Sequence, residues 1–209
     1  MAVEREHKFL VGTAFPESSR LREAFGKRGF ELRLSAPREQ SDVYYDTPAL
    51  TLLAAGVALR IRRYDGEMLA TYKESGVVRG SLHAREELEL PYSAPWPAEI
   101  LAKLAPLGVV NDLEPLVQLS AQHVRYLVYG DYGNESGSSA LAELSLDDVS
   151  AAHGAQQISF KELELEAQPT LPDAAFADLA EVLRGLGLEP HSGDKLSHAL
   201  TLLGLLPSS

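Results

Sequence analysis

The sequence predicts an α+β fold: one closed or strongly curved antiparallel sheet with helices packed against its outside. Three observations predict it. Apolar and polar residues alternate with period two over about eight stretches, the signature of strands. Short turn-rich tracts divide them, including YDGE at 64–67, GVVRGS at 76–81 and GDYGNESGSS at 130–139, and short connections favour hairpins and so antiparallel neighbours. Four further segments carry helical periodicity and supply an outer layer.

In chain order, the strand patterns fall at 3–11, 31–45, 57–64, 67–74, 82–92, 119–130, 139–149 and 156–167. The helical patterns fall at 16–29, 97–107, 172–187 and 193–205, the first and third opening with Pro16 and Pro172, a residue suited to a helix start. A chain of 209 residues with no internal repeat and no composition break is expected to form one domain over 1–209. The only low-complexity stretch is a Gly/Ser loop at 133–139.

Composition narrows the function classes. No run approaches 18 apolar residues and no basic-then-apolar leader is present, so a cytoplasmic protein without membrane partners is expected. With 0 Cys, disulfides and thiolate metal sites are excluded, and any bound metal takes carboxylate or imidazole ligands. The net charge of -11 argues against a nucleic-acid coat, which needs a basic face. An anionic ligand would require a local basic pocket.

Side chains at i, i+2 and i+4 of a strand share a face. Glu4, Glu6 and Lys8 therefore project together from VEREHKFLV, and Arg60 and Arg62 lie opposite Leu59 and Ile61 in ALRIRR. Lys73 shares a face with Thr71 and Leu69. Arg85, Glu87 and Glu89 form another group, as do Glu143, Ser145 and Asp147, and Glu162, Glu164 and Glu166. A solvent-facing sheet surface is the plain alternative for any one strand. Chemical sorting weakens it: ALRIRR carries only cations on its polar face and KELELE only anions, and neighbouring like charges destabilise a sheet unless something offsets them. A polyanion with divalent metal would offset both, because phosphates pair with Arg and Lys while Mg2+ or Mn2+ takes carboxylate oxygens. No HExxH, no P-loop and no credible Ser-His-Asp set is present, His191, Ser192 and Asp194 being sequential loop residues.

Taken in order, EREHK at 4–8 followed by FLV, YYDTP at 44–48, LLAAGVALRIRR at 52–63, TYK at 71–73, REE at 85–87, Arg125, ELSLD ending at Asp147, ELELE at 162–166 and Lys195 resemble the CYTH or triphosphate tunnel metalloenzyme superfamily. That group includes inorganic triphosphatases, thiamine triphosphatases and class IV adenylate cyclases. The resemblance spans nearly the whole chain and implies that eight antiparallel strands close into a tunnel with helices outside.

It further implies that the first motif and the late acidic strand bind one or two divalent cations, Mg2+ or Mn2+, with Glu4, Glu6, Asp147, Glu162, Glu164 and Glu166 as ligands. ELELE offers two registers of ExE. The distance to Lys195 favours Glu162 with Glu164, and alternation with Glu143 favours Asp147 over Asp148. Lys8, Arg60, Arg62, Lys73, Arg85, Arg125 and Lys195 correspond to the residues that grip a triphosphate, with Glu4, Glu6, Lys8, Arg60, Arg62 and Lys73 as the catalytic set. His7, whose side chain alternates away from theirs, is expected on the outer face. The implied function is metal-dependent hydrolysis of a triphosphate, inorganic triphosphate first. The alternatives are an adenylate cyclase making cyclic AMP and pyrophosphate, or a non-catalytic polyphosphate-binding module. The expected partner is a triphosphate-containing small molecule, and the oligomeric state, a homodimer included, stays open.

Overall fold

A computed structural model describes residues 2–109, 112–131 and 139–206. In chain order the elements are β1 (Ala2–Val11), α1 (Ser18–Gly26), β2 (Phe30–Leu34), β3 (Arg38–Asp46), α2 (Thr51–Ala54), β4 (Ala58–Tyr64), β5 (Glu67–Lys73), β6 (Val77–Arg79), β7 (Leu82–Pro91), α3 (Ala98–Leu104), β8 (Glu114–Gly130), β9 (Ala142–His153), β10 (Gln156–Ala167), α4 (Asp173–Gly185), β11 (Glu189–Pro190) and α5 (Lys195–Leu202). Strands β1, β10, β9, β8, β3, β4, β5 and β7 pair in that cyclic order, and β7 returns to β1, so the barrel closes with eight antiparallel strands. The short strands β2, β6 and β11 add to its rims.

The expected run at 31–45 is two strands. Both lie antiparallel along β8, with Leu34 opposite Tyr126 and Arg38 opposite His123, but the ladder breaks at 35–37, where Pro37 has no N–H to donate. Segment 76–81, expected as a turn, contains β6, whose three residues pair with β7. Strand β8 begins at Glu114, earlier than its alternation predicted, and β9 begins at Ala142; residues 132–138 of the predicted loop lie outside the described residues. The YDGE turn takes its expected form: Asp65 and Gly66 have φ of 49° and 81°, the left-handed pair that a two-residue hairpin requires.

Two of the three apolar clusters lie between the barrel's outer wall and helices α1–α4, and the third fills one end of the interior. Leu21 and Phe25 of α1 and Phe176, Leu179 and Leu183 of α4 pack on Phe9, Leu144, Leu163 and Leu165. Leu52 of α2 and Ile100 and Leu104 of α3 cover Leu59, Ala70 and Tyr72 from outside. Helix α5, expected outside with the others, instead packs on the inner face at one end of the barrel: Leu196, Ala199 and Leu200 contact Val117, Leu119 and Val149, of which Val117 and Leu119 pair with Tyr44 and Asp42 and Val149 shares the face of Asp147. Each such buried Leu or Phe contributes about 1.5–3 kcal/mol relative to exposure, which drives the alternating strands to turn their apolar face outward. Their charged face is left inside. No helix among the described residues is long and apolar enough to cross a membrane.

The candidate active site in the barrel lumen

Register carries one belt of charge around the interior. Glu6 stands opposite Glu166 and Lys8 opposite Glu164; next come Glu162 with Asp147, Asp147 with His123, and Ser145 with Arg125. On the other side Asp42 faces Arg62, Tyr44 faces Arg60, Ala58 faces Lys73, Lys73 faces Glu87, and Arg85 faces Glu4. All the residues named as candidate metal ligands or phosphate-binding groups meet here, whereas Glu89 is exposed. His7 points outward instead, with Nδ1 2.8 Å from Ser81 Oγ and its ring 4.5 Å from that of Phe176.

The carboxylates are matched to cations. Lys73 Nζ lies 2.7 Å from Glu4, Arg85 reaches Glu6 at 3.0 Å, and Lys8 contacts Glu164 at 2.5 Å and Glu6 at 3.2 Å. Lys195, the first residue of α5, lies 2.7 Å from Asp147 and 3.3 Å from Glu164. Its presentation follows from the helix start, where Asp194 caps by accepting from Ser197 N at 2.7 Å. Arg125 faces the lumen and forks onto Glu143. Asp147 is fully buried and Asp148 points outward to Lys161, as alternation with Glu143 predicted.

Electrostatics follow from this packing. Burial alone would lower the Lys8 and Lys195 ammonium pKa values, but the carboxylates around each outweigh it and hold both above the ordinary value. Asp42 is also buried, yet Arg60 and Arg62 bring it down to about 2. Two groups go the other way. Glu162 is fully buried, both oxygens lack a hydrogen-bond partner, and burial pushes it up to about 8 against the pull of Lys8. Enclosure, then Glu4 and Glu6, push Glu166 up to about 7; Glu166 remains open to lumen water, which tempers this shift.

Two connected chambers of about 100 Å³ each occupy the lumen, sharing Arg62, Glu164, Glu166 and Lys195 in their walls. A hollow of about 230 Å³ adjoins the first chamber and shares Lys73, Arg85 and Asp194 with it. A larger one of about 1200 Å³ lies beside Phe15, Phe160 and Leu188, but its walls mix apolar groups with surface charges such as Glu17 and Arg20. Charge density, rather than size, marks the lumen as the site.

The CYTH domain family model matches residues 2–197. This chain belongs to the CYTH family. Solved structures agree at the level of the fold. A candidate adenylyl cyclase from Hippeastrum, described as having a dominant triphosphatase activity, is 20% identical with a TM-score of 0.59 over 98% of each chain. A candidate adenylate cyclase from Bacillus halodurans is 19% identical with a TM-score of 0.60, over 95% of this chain and 98% of that one. A protein from Pyrococcus horikoshii is 23% identical with a TM-score of 0.57 over the same shares.

The CYTH lumen also contains residues that sequence reading did not assign a role: Asp42, Tyr44, Glu87, His123 and Asp194. His123 Nδ1 lies 2.6 Å from Asp147 Oδ1. Two of them carried a legible signal, since His123 lies two residues before Arg125 and Glu87 two after Arg85. Among the described residues no three His, Asp or Glu side chains already converge as a metal cage. The donor chemistry nonetheless fits a hard divalent cation, because Glu162 has two unpartnered buried oxygens and Glu166 is crowded by Glu4 and Glu6.

Proposed function

We propose that this CYTH domain hydrolyses a triphosphate in its lumen with the help of a divalent cation, inorganic triphosphate being the first substrate to test. One observation carries the reading: seven cationic and six acidic side chains, separated by up to 191 positions in the chain from Glu4 to Lys195, line or closely border one enclosed lumen.

Lys8, Arg60, Arg62, Lys73, Arg85, Arg125 and Lys195 bind and orient the phosphate chain, which is most of what this reaction asks of a protein. Arginine suits the task because its planar fork holds two oxygens and its charge does not titrate away. Glu4, Glu6, Glu162, Glu164 and Glu166 would hold Mg2+ or Mn2+, Glu162 through its two unpartnered oxygens, with Asp147 deeper in the same wall. The ion supplies charge neutralisation on phosphate oxygens and a more acidic water. Glu166, pushed up to about 7 by enclosure and then by Glu4 and Glu6, would give up its proton on joining the ligands. Phosphates entering the lumen would take over the cations that the carboxylates now hold, freeing those carboxylates for a divalent ion.

The decisive experiment incubates the protein with Mg2+ or Mn2+, and with EDTA, against inorganic triphosphate, ATP and thiamine triphosphate while following phosphate, pyrophosphate and cyclic AMP. Metal-dependent phosphate release supports the proposal, and loss of turnover in Glu4→Gln with Glu6→Gln, or in Arg60→Ala with Arg62→Ala, ties it to the lumen. Cyclic AMP with pyrophosphate would establish the second reading, a cyclase, which two of the structural relatives carry in their names. Silence on all three substrates sinks both and favours a binding module.

A further inference from the structure

We infer that Asp42 is a positioning residue that aims Arg60 and Arg62 at the phosphate chain. This deepens the triphosphate reading and rests on it. Asp42 sits mid-way along β3, 2% exposed, directly opposite Arg62 on β4. Its Oδ1 accepts from Arg62 Nε at 3.0 Å and its Oδ2 from Arg62 Nη2 at 3.0 Å, a side-on fork. A guanidinium carries five N–H groups. The fork takes two of them, leaving one on Nη2 and two on Nη1 at the distal end, the pair of edges that can hold a phosphate end-on.

Arg60 is tied to the same carboxylate, Nη1 lying 3.4 Å from Asp42 Oδ2 and 3.3 Å from Tyr44 Oη. Gln40 Nε2 donates to Asp42 Oδ2 at 3.0 Å, so the acid is fixed from its other side. Accessibility shows which partner faces the substrate space: the Arg62 side chain is 20% exposed and that of Asp42 3%. Arg60 and Arg62 line the lumen chambers, and Asp42 is not among the residues lining either. It stands behind the arginines.

Two like charges on adjacent same-face positions repel, and long side chains lose rotamer freedom when held. A carboxylate between them relieves the first and fixes the second before substrate arrives. It also weakens their pull on an anion, so Asp42 opposes raw affinity. What it supplies is direction, and direction is felt in the chemical step more than in binding.

The test compares the parent protein with Asp42→Asn, a near-isosteric change that removes the charge and half of the fork. Inorganic triphosphate with Mg2+ gives kcat and KM, and calorimetric titration of inorganic triphosphate in EDTA gives binding without turnover. Asp42→Asn is expected to lose tenfold or more in kcat while KM and the metal-free Kd stay level or tighten. A kcat within twofold of the parent, or a KM raised with kcat unchanged, overturns the inference. If Asp42→Asn does not fold, Asp42→Glu serves: it keeps the charge and displaces the fork by one methylene, so the same kcat loss with retained binding is expected, and an unchanged kcat overturns it. A parent that neither hydrolyses nor binds inorganic triphosphate overturns the triphosphate reading as well, whereas an active parent with an indifferent Asp42→Asn overturns this inference alone.

Discussion

Lys195 Nζ lies 2.7 Å from Asp147 Oδ2, so the first residue of the last helix reaches through to the acid on β9. Both side chains are largely shielded, at 12% and 0% exposure, and water does little to screen the pair. Lys195→Met leaves Asp147 buried with only His123 and Ser145 as partners. Breaking a buried pair costs about 3 kcal/mol. For a chain of this size the expected fall in Tm is roughly 6–12 °C. Thermal unfolding checks it, and a fall of under about 2 °C would show that the pair contributes little to stability.

His7 makes stability depend on acid. It is buried against Phe176, and burial, followed by the charge of Arg184, depresses its pKa to about 4 from an ordinary 6.5. Above pH 6.5 neither folded nor unfolded chain binds a proton at this ring. Between 6.5 and 4 only the unfolded chain does, so stability falls as pH drops through that window, by about 3 kcal/mol in total. His7→Gln removes this slope. Urea unfolding at pH 7 and pH 4.5 should show the parent losing about 2.5 kcal/mol more than the variant; equal losses would contradict the assignment.

The strands that sequence reading located best are those with strong contrast between faces. In β4, Leu59 and Ile61 pack outward while Arg60 and Arg62 turn inward, and β10 repeats the contrast with leucines against glutamates. Strand β3 lacks it. Its inward residues Gln40, Asp42 and Tyr44 alternate with Ser41, Val43 and Tyr45, so polarity does not separate the faces, and Asp42 stayed invisible. The break before β3 and the three residues of β6 depend on what lies alongside them, β8 and β7, and pairing partners are not written locally. Barrel closure is of the same kind: alternation gave the strands, the family resemblance gave the ring, and the pairing of β7 with β1 completes it.

Asp46, the acid of YYDTP, has a structural role. Its carboxylate accepts from Thr47 N at 2.7 Å, Leu52 N at 2.8 Å and Leu53 N at 2.9 Å, so it ties the end of β3 to the start of α2. Asp46→Ala would leave three amides short of a partner in a buried setting and cost about 2 kcal/mol. Asp46→Asn keeps one acceptor and should lose about half of that. The check is a stability series by urea unfolding, with kcat measured well below Tm. Large kcat losses in fully folded Asp46→Ala would show that the acid serves the lumen as well.

Divalent metal should stabilise the folded chain in a pH-dependent way. Glu166 is pushed up to about 7 by enclosure and by Glu4 and Glu6, three carboxylates sharing one wall, and a cation among them would relieve that repulsion. An ion that binds only the folded state stabilises it by about 2.7 kcal/mol at one hundred times its Kd, or roughly 5–11 °C in Tm. Because Glu166 must give up its proton to serve as a ligand, the shift should be small near pH 6, grow as pH rises through about 7, and level off near pH 8. Thermal scans with Mg2+, Mn2+ and EDTA at pH 6, 7 and 8 test both parts. Glu4→Gln with Glu6→Gln should abolish the shift at every pH. A metal shift that survives in that variant would move the ion out of this part of the lumen, and a shift independent of pH would remove Glu166 from its ligands.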